Sequence, residues 1–165
     1  MITKEFNYEP FFGTYTWKLE KGELSTVISS FPFYFDLTEY QAPWLQFEIV
    51  ENDLIRLSEL QLEEVKLLRK RNDQAQLHLK MTLLIALYID FMFWANGQKV
   101  CQLGNGLFTD VGQLTYKPYN CGERLTFVLE NIIHFQAIVQ LEHLFSEQRK
   151  KNAKMKIVKE STRKK

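Results

Sequence analysis

The chain has only two cysteines, four prolines and seven glycines in 165 residues, and each scarcity removes a class of protein. So few prolines and glycines leave too little turn material for an all-strand protein built from many short hairpins. Two cysteines, Cys101 and Cys121, are too few to staple a small secreted scaffold. No basic segment, apolar run and small-residue cleavage site follow one another at the N-terminus, so the expectation is a cytoplasmic chain with free thiols. Cys101, Cys121, His134 and His143 lack the paired short spacings of zinc ligands, and His134 and His143, nine apart, point to opposite sides of one helix. No metal and no cofactor are expected.

Catalytic signatures are missing as well. Gly104-Asn105-Gly106 allows close backbone approach to an anion, but no Gly-Lys-Ser/Thr follows and no strand precedes it, so it reads as a turn. No serine lies in a nucleophile elbow. No catalytic residue is assigned on these grounds.

Long apolar runs are represented once, by Leu77 to Ala95. Its length approaches that of a membrane span, but His78 and Lys80 lie near one end and Asp90 interrupts it. A carboxylate at the bilayer centre costs roughly 2.5–3.5 kcal/mol even on the lenient insertion scale. The run is therefore expected to be the central helix of a core, with no transmembrane segment.

What is present suits such a core: 45% hydrophobic residues and 14% aromatics. Helical spacing of Leu54, Leu57, Leu60, Val65 and Leu68 predicts a helix over about 53–71, with acids early and bases late as the helix dipole favours. Asn72 or Asp73 is placed to cap a second helix, 74–95, ended by Asn96-Gly97. Residues 98–121 read as a long glycine-containing loop with one short helical turn. A third helix over about 123–149 is announced by Asn120 and Glu123, spaced as a capping box. Asp36 and Glu39 share that spacing, in a helix that Pro43 must end.

The fold expected is all-α: a compact helical bundle with three main helices, shorter helices, the long loop before the last helix, and a basic C-terminal tail. Residues 1–148 form a single domain, with 1–35 an aromatic-rich arm packed on it and the expected source of any exposed apolar patch. Residues 149–165 are expected to be a frayed or disordered basic tail, or else to extend the last helix through Lys156 with Met155, Ile157 and Val158 as apolar contacts.

Charge divides at that boundary. Residues 149–165 carry nine bases against one acid, whereas residues 1–148 hold twelve bases and nineteen acids, a contrast concealed by the net charge of +1. Arg149, Lys150, Lys151, Lys154, Lys156, Lys159, Arg163, Lys164 and Lys165 form a candidate polyanion tail, available to nucleic acid, to an acidic surface, or to the body itself. No aromatic is interleaved among them, so base stacking is not suggested there.

Within the body, Asp90 needs a partner or a proton. Arg124 and Lys99 are the expected bases. Asp90, Asn96, Lys99, Lys117, Asn120, Glu123 and Arg124 together make a candidate polar binding surface at one end of the long helices.

Trp94-Ala95-Asn96-Gly97 and the run from Lys117 through Asn120-Cys121-Gly122-Glu123-Arg124 to Phe127 carry a resemblance. With Phe135, Gln140-Leu141, Leu144-Phe145 and Lys150-Lys151, they make residues 77–154 resemble the YpoC-like proteins of Gram-positive bacteria. The resemblance implies a small, cytoplasmic, mainly helical protein in a replication- or repair-related setting, with no established activity and no catalytic residues to transfer. Three readings follow. The first is a non-catalytic interaction or adaptor module, its body binding another protein and its tail adding affinity for nucleic acid or an acidic surface. The second is a small enzyme with a polar pocket around Asp90 and Arg124. The third is a peripheral membrane protein using the tail as a polybasic segment. Oligomeric state is not specified by these residues.

Overall fold

The apolar run organises the architecture. In a computed structural model of the chain, which describes residues 2–164, helix α4 (Gln74–Ala95) buries sixteen of its 22 residues. Being apolar around its whole circumference, it is stable only if covered around its whole circumference. Helix α3 (Phe47–Lys70) returns along it through a three-residue link, and α1 (Leu24–Ser30), the 3₁₀ turn Pro43–Leu45 and α7 (Phe135–Arg163) close the remaining sides. Among the described residues α4 alone is long and apolar enough to cross a membrane, and 83% of that stretch is buried inside the protein. Its ends are made locally, as expected: Asp73 Oδ1 accepts from the Gln76 amide at 3.2 Å, and Gly97 takes the left-handed turn (φ 72°) that ends the helix.

The other helices are α2 (Tyr34–Thr38), α5 (Asn105–Gln113) and α6 (Cys121–Glu130). With α1, α3, α4 and α7 they make the described residues all-α and free of strand, the class expected. Several boundaries differ from expectation for tertiary reasons. Helix α3 starts at Phe47, ahead of Asp53, because the Phe47 ring packs on Phe91 at 5.7 Å. The expected loop contains a nine-residue helix, α5, held by Leu107 and Val111 one turn apart in the core. The single helix expected over 123–149 is two. Asn131 takes the Phe127 carbonyl (2.8 Å), the chain turns at residues 131–134, and α6 folds back on α7. Asn120 and Glu123 form no capping box; Asn120 itself adopts the left-handed conformation (φ 52°) without a side-chain cap bond. Nor does Asp36 cap α2, whose N-cap is Phe33.

The largest correction concerns the C-terminus. Residues 149–163 are not frayed but continue α7, because Gln148, Asn152 and Met155, spaced four and three apart, extend its buried stripe beyond the expected boundary. Lys164 caps the helix, and Lys165 lies outside the described residues.

The N-terminal arm is docked by its aromatics. Phe6, Phe11 and Phe12 are buried, the first two against Phe33 and the third against Phe31. The Leu103 amide donates to the Glu5 carbonyl at 2.8 Å, and Gly104 sits so close to the Tyr8 ring that an added Cβ would lie 2.5 Å from it. The arm thus contributes little exposed apolar surface, Tyr8 apart; the more exposed large apolar side chains, such as Leu45 (75%) and Ile49 (69%), lie outside it.

Met155→Ala is expected to lower the unfolding free energy by about 2–5 kcal/mol, and deletion after Gln148 to lower it further, both measured by urea titration. A deletion variant that unfolds at the same urea concentration as the full chain would remove residues 149–163 from the cooperative fold.

Candidate functional site

Asp90 lies on α4 with 2% of its surface exposed, and among the described residues no cation lies within ion-pair distance of it. The charged group that acts on it is a second carboxyl, Asp36 of α2, equally buried; among the described residues neither Asp90 Oδ1 nor Asp36 Oδ2 has a hydrogen-bond partner. Asp36 Oδ1 accepts from Trp94 Nε1 (3.0 Å) and from the Val100 amide (2.7 Å). Two ionised carboxylates cannot share such a site. Burial, compounded by the Asp36 charge, pushes the Asp90 carboxyl well above its ordinary value; burial also raises Asp36, less the help of its donors. Trp94 Nε1 and the Val100 amide favour the charged form of Asp36, so a proton taken up by the two carboxyls is favoured on Asp90.

The expected partners of Asp90 are engaged elsewhere. Lys99 pairs with Glu39. Arg124 forms a two-pronged bridge to Glu147 (2.8 and 3.0 Å), donates to Gln140 Oε1 (2.9 Å) and reaches the Tyr119 carbonyl (3.0 Å). The bridge raises Arg124 further and holds Glu147 below the usual carboxylate range. The expected pocket around Asp90 and Arg124 is thus not formed: one side chain is sealed in the core, and the other pins α6 to α7. Cys121 is buried beside Tyr88, its thiol pushed up by burial, while Cys101 is exposed and free.

Of the other polar-surface candidates, Asn96 clamps the Tyr116 backbone, donating to its carbonyl (2.9 Å) and accepting from its amide (2.9 Å). Gln148 donates to the same carbonyl (3.1 Å) and to Asn152 (2.9 Å), tying the clamp to α7. Lys117 closes the end of α5 by donating to the Gly112 and Leu114 carbonyls. Asn120 and Glu123 are exposed at the start of α6. Most of this group consists of donors satisfied within the molecule.

The basic run divides by direction. On an α-helix, with successive residues 100° apart, Lys150, Lys151 and Lys154 share the outward face of α7, flanking Ile157 (67% exposed) and Val158. Among the described residues no carboxylate lies within ion-pair distance of these three lysines. Arg149 and Lys156 face α3 instead, pairing with Glu59 (3.2 Å) and with buried Glu51. Lys159 and Arg163 continue the buried stripe past the body and overhang a groove of about 330 Å³ lined by Trp44, Leu45, Phe47 and Met155.

A sequence model of the YpoC-like protein family matches residues 50–160. No curated protein and no solved structure matches the chain. The family match takes in Asp90 and the tail through Glu160, whereas Asp36 and the docked arm precede it.

A carboxyl whose folded value lies above its unfolded one binds its proton more tightly in the folded state. The carboxyl pair therefore contributes most below the unfolded value of about 3.9, and stability falls as pH rises above it, by at most about 1.4 kcal/mol per pH unit per proton. Asp90→Asn places an amide near Asp36 and removes one of the two titrating carboxyls. Its thermal midpoint is expected to change less than that of the native chain between pH 4 and pH 8; identical profiles would mean that the pair does not titrate in this range.

Proposed function

The chain belongs to the YpoC-like family, and we propose that it works as a non-catalytic helical interaction module whose α7 contributes electrostatic affinity for nucleic acid. The observation that carries this reading is the outward row of Lys150, Lys151 and Lys154. These ammonium groups stand clear of the carboxylates that neutralise Arg149 and Lys156, on a rigid helix rather than a loose tail. A helix presents its charges at fixed spacing, so phosphates are met without the cost of ordering a disordered segment. The acidic excess of the remaining chain repels a polyanion elsewhere and so orients it on this face.

The groove beside Lys159 and Arg163 supports the protein-binding half of the reading. Its lining is aromatic and aliphatic, with Leu45 exposed, and its rim carries both signs, Lys159 and Arg163 beside Glu48 and Glu160, which suits a protein segment that carries apolar side chains. A membrane role would use the same lysines with Ile157 and Val158 inserted, but two aliphatic side chains make a weak second anchor.

The test uses the full-length protein, because residues after Gln148 include buried side chains. The native chain and a Lys150→Gln/Lys151→Gln/Lys154→Gln variant are titrated with short duplex and single-stranded DNA over a salt series. The slope of log affinity against log salt is expected to fall by about two to three units in the variant, at roughly 0.7–0.9 for each phosphate no longer neutralised. Equal slopes, or no binding by the native chain at low salt, would refute the reading. Flotation with anionic vesicles that succeeds where DNA fails would transfer the face to a membrane.

A further inference from the structure

The other end of α7 carries a second basic surface of different design. Where the last turn of α3 meets the first turn of α7, two adjoining clefts of about 300 and 420 Å³ open on either side of Arg69 and Phe135, which line both. Lys66 and Lys70 line the larger cleft; Asn72, His134 and Gln136 line the smaller one. Among the described residues no carboxylate lines either. Lys66 is neutralised by Glu142 (2.6 Å) and Glu63 (3.6 Å), but among the described residues neither Arg69 nor Lys70 has a carboxylate within ion-pair distance.

Cations in the last turn of α3 are expected, since they complement the negative end of that helix. Their position against α7 is not accounted for in this way. The first residues of a 29-residue helix whose N-cap, His134, makes no side-chain cap bond line the smaller cleft. Free guanidinium and ammonium groups set against a helix N-terminus are like facing like, an arrangement that an anion between them would turn from repulsion into attraction.

The aromatic narrows the class of anion. Phe135 is 55% exposed, lies at the junction of the two clefts, and makes no ring contact with another aromatic among the described residues. A bare phosphate has no use for such a ring, whereas a nucleotide base stacks on it. We propose that this cleft binds a nucleotide unit, its phosphate held by Arg69 and Lys70 and its base on Phe135. The unit is either a free nucleotide or one residue of a single strand. In the second case the cleft lies about 22 Å along α7 from Lys150, so one strand has two contacts on one rigid helix.

The experiment is a titration of the ¹⁵N-labelled full chain at low salt with three probes: inorganic phosphate, AMP and a 5′-phosphorylated single-stranded decamer. The amides of Arg69, Lys70, Phe135 and Gln136 are followed. The expected result is saturable shifts at these amides. Arg69→Gln/Lys70→Gln should weaken AMP or decamer binding at least tenfold. Phe135→Ala should weaken either at least about fivefold while leaving phosphate binding within twofold. All three side chains are exposed, so thermal midpoints near that of the native chain will show that the variants fold. Saturation by AMP assigns the site to free nucleotides, and shifts with the decamer alone assign it to a strand. Absence of shifts with every probe, or affinity unchanged in the Arg69/Lys70 variant, overturns the proposal; a Phe135 variant that binds AMP and the decamer like the native chain overturns the stacking. The triple lysine variant of α7 leaves the cleft intact, so failure here is distinguishable from failure of the basic face.

Discussion

The structure depends on one constraint: α4 has no side that water can face. A 22-residue helix with sixteen buried positions must be enclosed, and each other part of the chain can be understood by the side it covers. Helix α3 takes one side, α7 another, and the short helices and turns before α3 the rest. This explains why the chain uses its first 45 residues, rich in aromatics and poor in regular structure, as packing material. Large rings fill irregular space between helices that a further long helix would not fit.

Asp90 follows from the same constraint. Once its helix is surrounded, its carboxyl has no route to solvent, and the segment that covers it must supply a partner. That partner is a carboxyl rather than a base, and it works because Asp36 is held by two donors of its own, Trp94 Nε1 and the Val100 amide. Trp94 belongs to α4, so the helix also helps to hold the group that covers it. A lysine or arginine there would bring a long side chain into a packed interior, whereas one proton on the pair removes a charge with almost no added volume.

Features with local causes are legible in the sequence. The 73/74 start and 96/97 stop of α4 are a side-chain cap and a left-handed glycine, both written within a few residues. The all-α class follows from periodicity and from the scarcity of turn residues. Features caused by distant contacts are not legible in this way. The Phe47–Phe91 contact that sets the start of α3 joins residues 44 apart. The break at residues 131–134 falls within apolar residues that continue the helical pattern, so periodicity alone runs through it. Asp36 has the local spacing of a cap, and nothing near it in the chain points to Asp90, 54 positions away. The C-terminal helix is obscured by its charges: nine bases suggest solvation, while Gln148, Asn152 and Met155, polar or flexible, make an inconspicuous buried stripe. As for the candidate sites, the basic run is visible as composition, but its division into an outward row and a row paired with α3 needs the helix. Arg69 and Lys70 are visible in the sequence only as bases at a helix end and Phe135 only as one apolar residue of a later stripe; that they meet is set by the fold.

The carboxyl pair has a consequence for how such a chain can diverge. Asp90 lies within the stretch matched by the family model, and Asp36, the carboxyl that faces the same buried space, lies before it. A relative that replaces the first fifty residues inherits a carboxyl on its central helix without Asp36 beside it. An apolar residue at 90 would free the covering segment from supplying a polar neighbour, whereas an aspartate there makes the cost of any change in that segment depend on what it leaves beside a buried carboxyl.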